Sequence, residues 1–200
     1  MYFLIAGLLV WMQEKGTAVL FFNRNYHPFL DWFFKIVTYL GDGWFAIPLI
    51  SFLLLFRNIF KGIVMLASVL LSFLVVQTLK IVVFPNMPRP SKYFPESMKL
   101  YYVEGVEIHT QNSFPSGHSA QAFAIFLLLA LFTKNKNWSV FYFLTALLVT
   151  ISRMYLAQHF LIDTYFGALI ATLVTFFTYY YFTNHTTLAH KERWQRGWLV

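Results

Sequence analysis

Three short stretches of this chain carry side chains suited to gripping a negatively charged group and moving a proton beside it. The first is Ser113-Phe114-Pro115-Ser116-Gly117-His118-Ser119, which stands directly before an apolar run ending near Thr133. A Pro-Ser-Gly segment opening a helix aims unpaired backbone N–H groups, a hydroxyl and the positive end of the helix dipole at one spot, which suits an anion. His118 adds a group that gives or takes a proton near neutral pH. The second stretch is Ser152-Arg153 followed by His159 and Asp163. His159 and Asp163 are four apart, a spacing that on a helix stacks them on one face, where the carboxylate orients the imidazole and leaves one ring nitrogen free. The third is Lys80 with Arg89-Pro90, where Pro85 and Pro88 force the chain out of its helix and turn Arg89 back over the face that carries Lys80. Three cations, a helix N-terminus, two histidines and a carboxylate are the parts that phosphoryl transfer uses: charge clamping, a nucleophile and an acid for the leaving group. The structural alternatives are an Arg153–Asp163 ion pair and a Lys80 that merely snorkels to the interface.

The elements that position these residues are membrane helices. The 200 residues are 58% hydrophobic and 21% aromatic, with 12% charged and a mean hydropathy of +0.59. Soluble domains carry roughly a quarter charged residues. The pattern predicts an all-α, polytopic bundle of about six transmembrane helices, with interfacial amphipathic helices near the N-terminus. Met1–Met12 is apolar and read as a retained segment, broken by Gln13, Glu14 and Lys15. Thr17–Leu40 reads as two short amphipathic helices interrupted at Pro28, and Gly41-Asp42-Gly43 as a turn. Further crossings are expected at Trp44–Phe56, Gly62–Phe84, Phe114–Thr133, Trp138–Tyr155 and Leu161–Phe182. Pro85–Asn112 is the one long loop, and long loops in compact proteins are usually functional. No linker or repeat divides the chain, so residues 1–200 read as one domain with a basic tail from about 184.

If each run crosses once, the turns at 57–61 and 134–137 and the tail share one side, while the long loop and the 156–160 turn share the other. Leaving out Lys80, Arg89 and Arg153, the first side carries seven Lys and Arg against five, which places the tail in the cytoplasm and the loop outside. The net charge of +7 fits anionic lipid contact, and no interleaving of basic and aromatic residues marks a nucleic-acid groove. There are no cysteines, and His27, His109, His185 and His190 lack metal-ligand spacing. Lys92, Tyr93, Lys99, His109, Gln111 and Asn112 read as solvated loop residues, the alternatives being head-group contact for His109, Gln111 and Asn112 and a second phosphate or the lipid surface for Lys92, Tyr93 and Lys99.

Arg89-Pro90, Pro115-Ser116-Gly117-His118 and Ser152-Arg153 with His159 and Asp163 resemble the three-part motif of the type 2 phosphatidic acid phosphatases, the PAP2 family. The second and third parts fit at full spacing. The first departs: eight residues separate Lys80 from Arg89 where the family usually has six, and Val82 occupies the strict position. The resemblance implies that His159 attacks phosphorus and forms a phosphohistidine, that Asp163 fixes its tautomer, and that His118 protonates the leaving oxygen and then activates water. It implies that Lys80, Arg89, Arg153, the Ser116 hydroxyl and the Gly117 N–H hold the phosphoryl oxygens, with no metal or other cofactor. The substrate class is then a phosphorylated membrane lipid, handled at the outer face of a bacterial-type cytoplasmic membrane. Phosphatidic acid, phosphatidylglycerol phosphate, undecaprenyl diphosphate and lipid A phosphates all fit, and the oligomeric state stays open. A lipid-to-lipid phosphotransferase and a non-catalytic lipid binder or transporter are the alternatives.

Overall fold

The computed structural model describes residues 2–199; Met1, which opens the first apolar segment, and Val200, which closes the basic tail, lie outside the described residues. The helices are α1 (Tyr2–Met12), α2 (Thr17–Arg24), α3 (Pro28–Val37), α4 (Gly43–Phe52), α5 (Ile59–Thr78), the single turn α6 (Pro90–Tyr93), α7 (Gly117–Phe132), α8 (Lys136–Tyr155) and α9 (Leu161–His185). The described residues contain no strand.

α7 is the hub. It packs against α8, α9 and α5, so the helix that begins at the Ser116-Gly117 motif is the one most enclosed by others. Its inward positions Ala120, Ala122, Ala124, Ile125 and Leu128 are buried; the three alanines cluster with Ala168 and Ala171 of α9 and Ala146 of α8, and Ile125 and Leu128 with Phe60, Val64 and Met65 of α5. Small residues let membrane helices approach closely, where packing rather than the hydrophobic effect holds them. Gly167 shows how close: a Cβ there would stand 2.3 Å from the Ser116 carbonyl oxygen. Only glycine lets α9 seat against the motif loop.

Three helices are long and apolar enough to cross a membrane alone: Ile59–Val83, Lys136–Tyr155 and Leu161–His185. α7, at 16 residues, is shorter. The remaining apolar segments occur as bent pairs, α1 with α2 at 93° and Pro28–Gly41 with Gly43–Arg57 at 52°. The all-helical bundle and the N-terminal break therefore stand as read. The three single spans become five if each bent pair crosses once, with α7 as a further, shorter apolar helix; α1 alone does not cross, since its 11 residues rise only about 16 Å. Gly16 makes the first bend with φ 104°, a left-handed conformation that favours glycine.

α5 runs on into a π-helical turn, Leu79–Val83, closed by the Phe84 N–H donating to the Leu79 carbonyl at 2.7 Å. A π-turn takes in an extra residue, and it falls on Lys80, where the first motif is longer than expected. The long loop is pinned from the other side by α2 and α3. Asn23 and the Tyr101 backbone exchange two hydrogen bonds of 2.7 and 2.9 Å, Tyr101 Oη donates to Asp31 at 2.6 Å, and Lys35 Nζ donates to the Glu104 carbonyl at 2.7 Å. That bond to Asp31 is the main reason the Tyr101 phenol is pushed up to about 12. At the opposite end the tail folds back over the start of α5, with Ile59 N–H donating to Arg196 O at 3.1 Å and Trp198 N–H to Leu54 O at 2.9 Å. The tail and the 57–61 turn thus share an end, as the alternation of crossings predicts.

Candidate active site

Backbone bonds bring the three motif segments to one end of the bundle. Arg89 N–H donates to Thr110 O at 2.9 Å and Ser113 N–H to Met87 O at 3.0 Å, which ties Arg89-Pro90 to the loop entering α7. Ser116 N–H donates to Asp163 O at 2.9 Å, joining that loop to α9. Gln158 and His159 N–H both reach Arg153 O, at 2.9 and 3.2 Å, curling the α8–α9 turn over Arg153. Within that turn Ala157 takes φ 52°, a left-handed value that costs about 1–2 kcal/mol for a residue with a Cβ. The helix expected to stack His159 over Asp163 is absent: His159 precedes α9, and Phe160 and Asp163 form the cap of that helix.

Arg89 and Arg153 are buried, at 9% and 6% exposure. Arg89 Nε donates to Gln111 O and Nη1 to Gln158 Oε1, both at 2.9 Å. Arg153 Nη1 donates to Thr38 Oγ1 at 2.6 Å, while its Nε finds no partner. Among the described residues no carboxylate comes within 4.0 Å of Lys80, Arg89 or Arg153, so the Arg153–Asp163 ion pair does not form. The charges of Arg89, Arg153 and Asp163 all reach Lys80, and those of Arg153, Arg89 and Lys80 reach His118. Buried charge without a counter-ion is costly, and here three cations share one place.

His159 is 1% exposed. Burial, and then the charges of Arg89, Arg153 and Lys80, hold its imidazole well below its ordinary value, so the ring is neutral with a lone pair available. Its Nδ1 lies 3.6 Å from Asp163 Oδ2, just beyond hydrogen-bond reach. That oxygen instead accepts Ser113 Oγ at 2.5 Å and the Phe160 N–H at 2.9 Å. His118 Nε2 stands 3.7 Å from Asp42 Oδ2. Ser116 caps α7, its Oγ accepting the Ser119 N–H at 3.4 Å, and nothing lies within 4 Å of where a Gly117 Cβ would stand. All eight sequence-predicted residues, Lys80, Arg89, Ser116, Gly117, His118, Arg153, His159 and Asp163, therefore sit at one end of the bundle.

Sequence reasoning missed Thr38, Asp42 and Gln158, and included Ser113 in the first stretch without giving it a part. Gln158 adjoins a motif residue, which was the available signal. Asp42 read as a turn residue, and Thr38 carried no signal at all. His109, read as a solvated loop residue, lies near enough for burial and the charge of Arg89 to lower its imidazole. Among the described residues no three His, Cys, Asp or Glu side chains converge as a metal would need.

A multi-pass helical membrane protein with an anion cradle at one helix end is the class these observations define. The chain belongs to the PAP2 superfamily, whose family model matches residues 61–187, a stretch holding all eight residues. It is similar to lipid phosphate phosphatase 1 of Arabidopsis thaliana, 32% identical over an alignment of 155 positions that covers 65% of this chain and 46% of that protein. The chain thus spans about half the length of that relative. The crystal structure of Aquifex aeolicus LpxE superposes with a TM-score of 0.71 at 31% identity, covering 82% of this chain and 93% of that one. A transmembrane PAP2-type phosphatidylglycerolphosphate phosphatase from Bacillus subtilis superposes with a TM-score of 0.68 at 25% identity, covering 90% and 92%.

Proposed function

We propose that this protein is a metal-independent lipid phosphate phosphatase that works through a phosphohistidine on His159. The observation that carries the reading is the set of three cations, two of them buried arginines, converging without a carboxylate partner beside two imidazoles and a helix N-terminus. Two of the relatives are named as phosphatases, one of them of PAP2 type, which supports the same reading.

In the proposed reaction Lys80, Arg89, Arg153, the Ser116 hydroxyl and the Gly117 N–H neutralise the phosphoryl oxygens as charge develops on them. His159 Nδ1 faces Asp163, so Nε2 attacks phosphorus. The phosphorus–oxygen bond to the lipid breaks, its electron pair leaves on the lipid oxygen, and His118 supplies the proton. Water then enters from the His118 side, gives its proton to His118, and displaces the phosphoryl group from His159 as inorganic phosphate. The 3.6 Å gap between His159 and Asp163 closes as the ring gains positive charge; such bonds are often long before substrate binds. The cations supply the electrostatic work a metal would otherwise do.

On this reading residues 1–200 act as one domain, the site faces the outside of a bacterial-type cytoplasmic membrane, and the tail lies in the cytoplasm. The test is phosphate release by purified protein from a panel of phosphorylated lipids, with chelator present. Loss of turnover in His118→Ala and His159→Ala, with acid-labile phosphate trapped on the wild-type protein, supports the reading. Labelled acceptor lipid without free phosphate indicates a phosphotransferase, and function retained in His159→Ala indicates a binder.

A further inference from the structure

A cavity of about 160 Å³ opens beside His118, between Gly41-Asp42, the α5 face from Val69 to Lys80 and the first turn of α7. Half of its lining residues are what a lipid chain would meet, including Val69, Phe73, Val76 and Ala120. Besides Asp42, Lys80 and His118 at the site itself, three of the others are polar. Gln77 lies one turn before Lys80, Gln121 one turn after His118, and Ser72 deeper, roughly 12 Å along α5 from Lys80. Ser72 is 1% exposed and its hydroxyl has no partner; the Gln121 Nε2 amide is likewise shielded and unpartnered. Buried donors left unmade are uncommon in folded proteins and each destabilises the empty site. They gain when something carrying acceptors enters.

The side of the site matters as much as its lining. His118 lines the cavity and His159 does not. In an in-line displacement the leaving oxygen stands opposite the nucleophile, next to the group that protonates it. The cavity is therefore where the departing alcohol goes, an assignment that rests on the phosphatase reading above. We infer that it is a leaving-group pocket in which Ser72, Gln77 and Gln121 select an acylated alcohol, whose ester or amide carbonyls lie a few bonds from the scissile oxygen, over a plain polyprenyl chain. An acylglycerol and an acylated sugar both carry that chemistry. A polyprenol has no acceptor beyond its own oxygen and leaves Ser72 and Gln121 unmet, and sites built to hydrogen-bond a substrate discriminate strongly against analogues that lack the partner.

The cleanest probe is a pair of phosphatidic acids differing only in their linkages, dioctanoyl ester and dioctyl ether, assayed for phosphate release in detergent micelles. A polyprenyl monophosphate and an acylated glucosamine 1-phosphate form further arms, with p-nitrophenyl phosphate as a substrate that has no lipid. We expect kcat/KM for the ester to exceed that for the ether by about tenfold and to exceed the polyprenyl ester by more. The ester-to-ether ratio should fall towards one in Gln121→Leu, and partway in Ser72→Ala. A ratio taken within one variant is unaffected by how much of that variant folds. Whether the acylglycerol or the acylated sugar reacts faster identifies the source of the carbonyls. Equal rates on ester and ether, a preference for the polyprenyl substrate, or variants that slow ester and ether alike would overturn the pocket while leaving a His159-dependent phosphatase intact. Absence of phosphate release from every substrate, p-nitrophenyl phosphate included, would instead overturn the phosphatase reading, and the pocket with it.

Discussion

The two ends of the bundle treat positive charge in opposite ways. At the tail end Arg57, Lys134, Lys136, Lys191, Arg193 and Arg196 are all exposed. Charges there meet water and lipid head groups, and each is worth little to the fold. At the site end Arg89 and Arg153 are buried, and they are held by carbonyl, amide and hydroxyl oxygens rather than by carboxylates. The lesson is that a count of basic residues finds orientation, whereas the partners of a basic residue find chemistry.

Substitutions at the two ends should therefore differ by orders of magnitude. The largest effect is expected for His159→Ala, which should lower phosphate release by about a thousandfold or more, while Lys191→Ala with Arg193→Ala at the tail leaves the rate unchanged. Next, Arg153→Ala should weaken vanadate inhibition and turnover by about a hundredfold, the usual effect of losing one donor to developing charge. Arg153→Lys should recover little, because a compact ammonium lacks the planar fork with which a guanidinium bonds Thr38 at one nitrogen and presents its other N–H groups to an anion. If the lysine variant is active, the guanidinium geometry is not what the site uses.

Ser113→Ala sharpens the comparison within the site end. Removing the hydroxyl that holds Asp163 should reduce kcat about tenfold with little change in KM, and Ser113→Thr should restore much of it. A purely structural role would lower protein yield without that split. Acid provides a further test. The unfolded chain protonates His159 around the ordinary value of 6.5, whereas the folded protein keeps it neutral to much lower pH. Stability is then fully present above 6.5 and is lost as pH falls below it, by up to about 1.4 kcal/mol per pH unit. Thermal denaturation at pH 7.5 and 5.0 should show the loss, and His159→Gln should reduce it. The smallest effect is expected for Asn23→Ala, which loosens the long loop by about 1 kcal/mol and should raise protease cleavage near Tyr101 before it alters turnover.

The motif residues were legible because side-chain type and local spacing carry them: Pro-Ser-Gly-His before an apolar run, and Arg-x5-His-x3-Asp around a turn. The membrane class followed from composition alone. What stayed hidden depends on distant segments meeting. Thr38 serves Arg153 across 115 positions, and Ser113 serves Asp163 across 50. No local pattern announces either. The longer Lys80–Arg89 interval looked like a defect in the motif until the π-turn at Leu79–Val83 gave part of the extra length a place. The bent helix pairs were half visible: Gln13-Glu14-Lys15 marked the first break, but the angle came from Gly16, which sequence alone does not fix.

The shortness of α7 sets a depth. Its last residue, Phe132, touches Lys61 and Tyr179 at the tail side, yet its 16 residues rise only about 24 Å against a hydrocarbon layer of roughly 30 Å. The cradle at its start faces Gly167, six residues inside α9, rather than the mouth of that helix. On the phosphatase reading proposed above, a lipid then need not be hoisted into water to react: its head group would sink by about a turn of helix beneath its neighbours, and the hydrolytic water would descend after it.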